Sequence, residues 1–520
     1  MSNNEPAPER IEARCRRGTI LVLSLFTLTL SLSSHRLGAM LHTHDAEAGL
    51  QIKSAKDWYP NATEDPGNPH NWSKRKRIFH TSIPIAVAFL CPFGSSVYTP
   101  GLSQVSQEFE VTREVALLPF VFYLLGLSFG PVIAAPMSET FGRRIVYTIA
   151  LPIFAVFTIG AGFSRNIVSL IVCRFFAGTA SSPGLSLGSG TVADVWRPHE
   201  RAVPMAIFVM SVQMGPAFGP LIGGFVTENI SWRWTQWVIL FGIAIVLTIT
   251  LSMHETYKMA ILQARAKRLD IEGPPKEQRT TAQSIKFFAR QTLIRPMHMT
   301  FTEPIVTFFD IYTAFLFGLL NAFFAAFSWV FENTYGFNLG AVGLTYLGQA
   351  VGSIIGCTVI IYTSKVVWVK ETHRMKETNP NARLPPERKL IIAKMGAILL
   401  PIGLFWYGWS AQYKVHWISP VIAEGFFSCA NILIFTCALI FLQDCYGAKY
   451  GASAASSNTF ARYLTAFAFP LFAIQMFEGV GTGWACSILG FFSILLIPIP
   501  FLFDRYGERI RQKSKYQPDE

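Results

Sequence analysis

Long apolar stretches separated by short polar or basic connections make up most of this chain from residue 78 onward. An α-helix needs about 20 mostly apolar residues to cross the ~30 Å hydrocarbon core of a bilayer. Short gaps at Ser164–Asn166 and Gly479–Gly481 predict tight hairpins between antiparallel helices. The predicted spans are 78–100, 115–136, 145–163, 167–193, 203–227, 235–253, 305–331, 340–364, 390–410, 417–443, 454–478 and 482–503. This pattern predicts an all-α membrane protein with twelve transmembrane helices in two pseudo-symmetric six-helix halves, 78–253 and 305–503.

The remaining segments are polar or basic. We expect residues 1–77 to be a cytosolic and largely disordered N-terminal region, 254–304 a cytosolic linker and 504–520 a cytosolic tail. Residues 19–33 are apolar but short and follow three arginines, as in a secretory signal or a weak anchor. An uncleaved span there would place Lys74–Arg77 outside, so we expect a segment that does not cross the membrane, or an error in the predicted coding sequence.

Composition supports the membrane interpretation. Only 15% of the residues are charged, whereas soluble chains carry about 25%. The net charge of +12 could indicate a nucleic-acid-binding protein. The basic residues lie in the connections, however, as expected when Lys and Arg set membrane topology. We therefore expect a lipid bilayer as the surroundings and no nucleic acid as a partner.

The placement of the basic residues predicts the orientation. If residue 77 is cytosolic, the odd-numbered connections lie outside and carry only Arg113, Arg165, Arg233 and Lys414. The connection between spans 6 and 7 would lie inside and carries Lys258, Arg265, Lys267, Arg268, Lys276, Arg279, Lys286, Arg290 and Arg295. Because basic residues are retained on the cytosolic side, both termini are predicted to be cytosolic.

Metal, cofactor and enzyme chemistry find little support in the sequence. The eight cysteines lie mostly in apolar stretches, and none forms a Cys-x-x-Cys pair. The chain also lacks a His-Glu-x-x-His run and a recognisable nucleophile–base set. We therefore expect no metal, no cofactor and no enzymatic activity.

The connection between spans 2 and 3 reads APMSETFGRR, residues 135–144. It places Glu139 near the end of one helix and Arg143 and Arg144 at the start of the next, where opposite charges could join two helices reversibly. The string resembles motif A of the major facilitator superfamily. Gly142, Arg143 and Arg144 match that motif, whereas Glu139 stands where most members have aspartate.

Span 4 carries Arg174 inside an apolar run. A charge at membrane depth costs about 2.5–3.5 kcal/mol on insertion scales, so it usually faces a cavity and has a function. The alternative is an arginine that is satisfied by backbone carbonyls. Arg174 and the small residues after it are similar to motif B, which is linked to proton coupling in this superfamily.

Span 5 contains GPAFGPLIGG, in which two Gly-Pro steps predict a bent helix with one face free of side chains. The string resembles motif C of drug:proton antiporters. The matching residues are Gly215, Pro216, Gly219, Pro220, Gly223 and Gly224.

Further strings resemble the fungal twelve-span drug:proton antiporters, in the branch that contains polyamine and multidrug exporters. They include NPHNWSKRKR before span 1, RWTQW before span 6 and FDRYGERIRQKSKY at the end. The resemblance covers about 65–520. Many of those relatives have an acidic residue where this chain has Ala325, after Phe323 and Phe324, which weakens the case for polycationic substrates.

In this fold, spans 1, 4, 7 and 10 line a central cavity near the midplane. The candidate substrate-cavity residues are Tyr98, Gln213, Asn321, Trp329, Gln349, Asn431 and Asn458. The candidates for proton coupling are Arg174, Asp310, Glu424 and Arg462. Aromatic walls with few polar groups suit flat or amphipathic organic molecules better than sugars.

These observations favour a proton-coupled efflux antiporter that exports small organic compounds by alternating access. We expect a monomer in the plasma membrane, with protons and a small-molecule substrate as partners. One alternative is a nutrient or polyamine uniporter or symporter. Sugar porters typically carry a PESPR-like run after span 6, whereas this chain has HETYK, which argues against the first alternative. The other alternative is a non-transporting sensor. Such sensors tend to have a long cytosolic tail, whereas the C-terminal tail here is short.

Overall fold

The structure is a computed structural model that describes residues 65, 67–197, 200–269, 294–378 and 384–516. The apolar segment at 19–33 and most of the predicted N-terminal region lie outside the described residues. The described ranges contain helices and turns, no strand, and twelve helices that are long and apolar enough to cross a membrane. The predicted all-α fold with twelve spans is therefore confirmed.

The first six spans are Lys74–Glu108, Arg113–Phe141, Arg143–Gly162, Ile167–Val195, Val203–Asn229 and Arg233–Leu251. The second six are Pro304–Tyr335, Leu339–Glu377, Pro386–Gln412, Ile418–Gly447, Ser453–Val480 and Thr482–Gln512. Two shorter helices, Lys258–Leu269 and Arg295–Thr302, lie in the connection between the two sets.

Several helices continue past the apolar stretches that define the predicted spans. The sequence predicts that span 8 ends at 364, but the helix continues through a π-helical turn at Thr363–Trp368. Span 12 likewise continues into the predicted tail as the helix Pro498–Gln512. Hydropathy marks where a helix meets lipid and does not mark where its hydrogen bonding ends, which explains the difference.

Spans 10 and 11 are joined without a polar loop. The helical segment Ile418–Val480 is interrupted at Gly447, whose φ and ψ are 59° and −164°. Only glycine adopts this region of backbone space readily, because any Cβ would clash there. Gly447 therefore makes the reversal between the two spans.

The same packing pattern occurs in both halves. In the first half, span 2 packs on span 4, span 1 on span 5, and span 3 on spans 4 and 6. In the second half, span 8 packs on span 10, span 7 on span 11, and span 9 on spans 10 and 12. Each pair in the second half is the pair in the first half with six added to both numbers. The predicted pseudo-symmetry of the two halves is thus confirmed.

The halves meet along two lines of contact, span 5 against span 8 and span 2 against span 11. One end of the bundle, called the basic end below, carries the Arg77–Glu200 ion pair at 2.5 Å. The opposite end carries the Arg233–Glu108 ion pair at 2.6 Å. Both ion pairs lie within the first half, so the contacts of span 5 with span 8 and of span 2 with span 11 are what close a site between the halves.

Candidate functional site

A small cavity lies between the halves at the middle of the bundle. Spans 1, 2 and 5 of the first half and spans 7 and 11 of the second contribute its walls. The lining residues are Pro92, Ser95, Leu124, Leu127, Val212, Gln213, Pro216, Phe317, Leu320, Asn321 and Tyr463. The cavity has room for about one or two water molecules. The walls must therefore separate before an organic molecule can enter.

An amide pair crosses the interface beside this cavity. The Gln213 Nε2 atom donates a hydrogen bond to the Asn431 Oδ1 atom over 3.0 Å, joining span 5 to span 10. Asn431 also donates to the Leu316 carbonyl oxygen at 3.4 Å. Of the predicted cavity residues, Gln213 and Asn321 line the cavity, and Asn431 reaches it through Gln213.

The other four predicted cavity residues do not line this cavity. The Tyr98 hydroxyl donates to the Ala116 carbonyl oxygen at 2.8 Å. The Asn458 side chain donates to Asp310 at 3.0 Å. Trp329 is half-buried in span 7, and Gln349 is buried in span 8, where its carbonyl oxygen accepts from Ser428. A position on or beside a cavity-forming span does not determine which way a side chain faces.

Arg174 is fully enclosed between spans 1 and 4. Its Nη1 and Nη2 atoms donate to the carbonyl oxygens of Gly94 at 2.7 Å and Ser95 at 3.1 Å. Its guanidinium carbon lies 4.6 Å from the ring centre of Tyr123 and 5.1 Å from that of Tyr98. Carbonyl dipoles and aromatic faces thus hold this charge, and within the described residues no carboxylate pairs with it. Ser95 connects Arg174 to the cavity wall.

Asp310 is buried in span 7 among hydrogen-bond donors from neighbouring segments. Its carboxylate accepts from Ser457, from the Asn458 Nδ2 atom at 3.0 Å and from the Thr300 hydroxyl at 3.4 Å. Asn458 also donates to Thr313 at 2.6 Å. The two donors from span 11 hold this span against span 7. Hydrogen bonds to a charged acceptor are stronger than those between neutral groups.

Arg462 lies one turn beyond Asn458 in span 11. Its guanidinium carbon lies 4.5 Å from the ring centre of Phe317 and 4.4 Å from that of Phe435. Its Nη2 atom donates to Thr459 at 3.3 Å, and its Nε atom has no partner among the described residues. This proton-coupling candidate therefore packs mainly on aromatic rings and forms no ion pair with a described residue.

Glu424 is completely buried in span 10. Neither of its carboxyl oxygens has a hydrogen-bond partner in the described part of the chain. Tyr346 and Tyr407 are its polar neighbours, in a cluster where the Phe327 and Tyr407 ring centres are 4.4 Å apart. A charged carboxylate without a partner in such surroundings is strongly disfavoured. The environment therefore stabilises the neutral acid.

Three glycines of span 5 place this helix against span 1. Gly215, Gly219 and Gly223 are four residues apart and share one helix face. A Cβ atom on Gly223 would lie 2.3 Å from the Val97 carbonyl oxygen, and one on Gly219 would lie 1.9 Å from the Ser96 Oγ atom. The backbones approach closely because these side chains are absent.

The neighbouring face of span 5 contacts the other half. A Cβ atom on Gly224 would lie 2.4 Å from the carbonyl oxygen of Leu339 at the start of span 8. The Pro220 carbonyl oxygen lies 2.7 Å from the Cβ position of Gly343, also in span 8. Pro216, one helical turn before Pro220, lines the cavity. The Gly-Pro segment therefore touches span 1, the cavity and the second half.

Adding one methyl group at Gly223 should destabilise the protein. We expect Gly223→Ala to lower the free energy of unfolding by about 1–3 kcal/mol, because a backbone carbonyl cannot move aside as a flexible side chain could. The apparent melting temperature in detergent should fall accordingly. Gly479→Ala is the matched control, since no heavy atom lies within 4 Å of its Cβ position. Equal melting temperatures for the two variants would contradict this close contact.

At the basic end, the carboxylate of Glu255, just after span 6, joins this span to the start of span 3. Gly142 ends span 2 with a φ of 93°. The next two backbone N–H groups, of Arg143 and Arg144, donate to the Glu255 carboxylate at 2.8 and 3.1 Å. The Arg143 Nε atom donates to Asp194 at 3.1 Å. A carboxylate at the start of a helix satisfies free N–H groups and the helix dipole.

Glu139 does not take part in these contacts. Its side chain is exposed and forms no hydrogen bond or ion pair with the described residues. Arg143 instead pairs with Asp194 at the end of span 4. A switching role for Glu139 stays a prediction, and it would require that Glu139 form contacts in a different conformation of the protein.

Sequence reasoning missed Glu255, Tyr123 and Tyr463. Glu255 lies 112 residues from its partner Arg143 along the chain. Tyr123 is one of many aromatic residues in apolar spans, and its packing on Arg174 depends on the arrangement of three helices. Of these three residues, only Glu255, the acidic residue of the HETYK run, gave a local signal in the sequence, because it is a charge at the end of span 6.

Comparisons with known proteins agree with this architecture. Residues 85–470 match the family model described as Major Facilitator Superfamily. Polyamine transporter 4 of Saccharomyces cerevisiae is 35% identical over 483 residues, which cover 88% of this chain and 73% of that protein. MFS-type transporter traF of Penicillium crustosum is 35% identical over 464 residues, covering 89% and 93%.

Solved structures show the same fold. The crystal structure of a D-xylose-proton symporter superposes with a TM-score of 0.60 at 15% identity, over 85% of this chain and 98% of that one. A partially occluded, inward-open structure of the xylose transporter XylE from E. coli gives a TM-score of 0.59 at 13% identity. At such identities the likeness concerns the fold alone. The twelve spans, the family match and the fungal relatives together show that this chain is an integral membrane transporter of the major facilitator superfamily.

Proposed function

We propose that this protein is a proton-coupled antiporter that exports small organic compounds. The observation that carries the proposal is the buried carboxyl group of Glu424, which has no hydrogen-bond partner among the described residues. Ionisable groups within membrane spans are costly and commonly serve ion or proton pathways. The dense packing around Glu424 favours a proton as its ligand.

Alternating access would proceed by separation of the halves along the contacts between spans 5 and 8. At the opposite end, the two Glu228 carboxyl oxygens accept hydrogen bonds from the Asn338 side chain and the Gly340 backbone N–H, both at 2.7 Å. Nearer the middle, the Gln213–Asn431 pair joins span 5 to span 10 across the interface between the halves. Opening toward the opposite end breaks these bonds and exposes the cavity.

Glu424 fits the role of proton carrier better than Asp310 does. Three donors surround Asp310 and stabilise its charged form. Glu424 has no such donors, so its protonation changes the electrostatic free energy of the span by a larger amount. Asp310 would then serve as a fixed acceptor that holds spans 7 and 11 together.

The membrane orientation follows from the positive-inside rule. We infer that the basic end faces the cytosol, because it carries the connections rich in Lys and Arg. Both termini would then be cytosolic, and the opposite end would face the outside of the plasma membrane. A monomer suffices for this mechanism, because both cavity walls come from one chain.

A pH gradient across reconstituted vesicles tests proton coupling. Proteoliposomes with an acidic interior should take up at least one of three radiolabelled probes faster than vesicles at equal pH. The probes are naphthalene-1-sulfonate, naphthalene-1-sulfonamide and spermidine, which differ in charge. A protonophore should remove the acceleration. Uptake of every probe at rates that ignore the gradient would contradict coupling and would favour a uniporter or a sensor.

A further inference from the structure

The cavity wall is neutral, but a positive charge lies behind each side of it. None of the eleven lining residues is Asp, Glu, Lys or Arg. Behind the wall of the first half, the Arg174 Nη2 atom donates to the carbonyl oxygen of the lining residue Ser95 at 3.1 Å. Behind the wall of the second half, the Arg462 guanidinium carbon lies 4.5 Å from the lining ring of Phe317 and 5.7 Å from that of Tyr463.

Neither guanidinium forms an ion pair with a described residue. Each also has a buried Nε atom without a hydrogen-bond partner in the described part of the chain. Asp310 acts on Arg462 and offsets part of its positive charge, whereas the groups that act on Arg174 are two tyrosines and no acid of the described residues. Since charges at membrane depth are weakly screened, the two arginines give the cavity a positive potential.

We propose that the cargo of this transporter is an amphipathic organic anion, with an aromatic body and one negatively charged group. The proposal rests on the transport function proposed above and names the substrate class of the same cavity. Phe317 and Tyr463 offer aromatic surfaces to the body of such a molecule. The side-chain amides of Gln213 and Asn321 can donate hydrogen bonds to its anionic oxygens.

The same arrangement disfavours polycations. A polyamine would enter a cavity without a carboxylate, between two buried positive charges. The yeast relative named as a polyamine transporter is only 35% identical. Substrate charge can therefore differ between the two proteins, although the fold is shared.

Three naphthalene probes of equal size and different charge test the proposal. The full-length protein in nanodiscs should bind naphthalene-1-sulfonate at least about tenfold more tightly than naphthalene-1-sulfonamide or 1-naphthylmethylammonium, measured by equilibrium dialysis. Arg462→Gln should weaken sulfonate binding about twentyfold, as expected for one charge roughly 9 Å away at an effective dielectric constant near 20. Binding of the sulfonamide should stay within about twofold, because that probe carries no net charge.

Two further variants keep the result interpretable. Arg462→Lys keeps the charge and should retain most of the sulfonate preference. Arg165→Gln removes a positive charge from an exposed loop and should leave all three affinities unchanged. Equal binding of the three probes, binding of none, or an unchanged preference in Arg462→Gln would overturn the proposal. Gradient-driven uptake of the sulfonamide or spermidine would, in contrast, leave proton coupling intact while the anion proposal failed.

Discussion

Glu424→Gln should reduce proton-driven uptake to the background of protein-free liposomes while probe exchange at equal pH continues. Glutamine has nearly the same shape as the neutral acid but cannot release a proton. Because neither oxygen of Glu424 has a partner among the described residues, the substitution breaks no described hydrogen bond. Burial of the amide without a partner should cost about 1–3 kcal/mol of stability. Paired assays of gradient-driven uptake and equal-pH exchange separate the two effects.

Glu478→Gln is the matched control for this variant. Glu478 is an exposed acid near the end of span 11, so its neutralisation should leave both assays unchanged. Gradient-driven uptake at the normal rate in Glu424→Gln would exclude Glu424 as the proton carrier. Asp310→Asn, tested in the same two assays, would then become the informative variant.

Arg174→Ala should abolish transport and leave membrane insertion intact. The substitution removes hydrogen bonds to the Gly94 and Ser95 carbonyl oxygens and two cation–π contacts. Hydrogen bonds to a charged group contribute about 1.5–3 kcal/mol each, so span 1 should lose its fixed position on span 4. Uptake should fall to background, and the amount of protein in the membrane fraction should stay normal.

Arg174→Lys distinguishes charge from geometry. Lysine retains the positive charge but lacks the planar fork that reaches two carbonyl oxygens while facing two aromatic rings. We expect Arg174→Lys to recover only a small part of the uptake. Arg165→Ala, in an exposed loop, is the control for removal of an arginine. Full coupled uptake in Arg174→Ala would show that this residue has no part in transport.

The number and order of the spans could be predicted because lipid imposes a strict rule. Each crossing needs a continuous apolar helix, so the hydropathy pattern predicted all twelve. The helix ends were harder to predict from hydropathy, since the extensions of spans 8 and 12 are polar. The turn at Gly447 depends on one backbone conformation that hydropathy does not report.

The site could be predicted only in part. The spacing of Gly215, Gly219 and Gly223 indicated close helix packing, because that depends on the local helical period. The contacts of Arg174 were left open, since carbonyl partners and a cavity position fit the same sequence. Glu255 was missed because its partner lies on a distant segment. Contacts between segments far apart in sequence needed the structure.

The movement of protons during substrate efflux tests the proposed antiport most directly. Proteoliposomes loaded with a probe and the pH-sensitive dye pyranine are diluted into probe-free buffer at equal pH, with the membrane potential clamped. Naphthalene-1-sulfonate is the first probe, and spermidine and naphthalene-1-sulfonamide follow. Antiport requires that probe efflux acidifies the interior, because protons enter as the probe leaves, and Glu424→Gln should remove this acidification. Probe efflux with a constant or rising internal pH would contradict proton-coupled export.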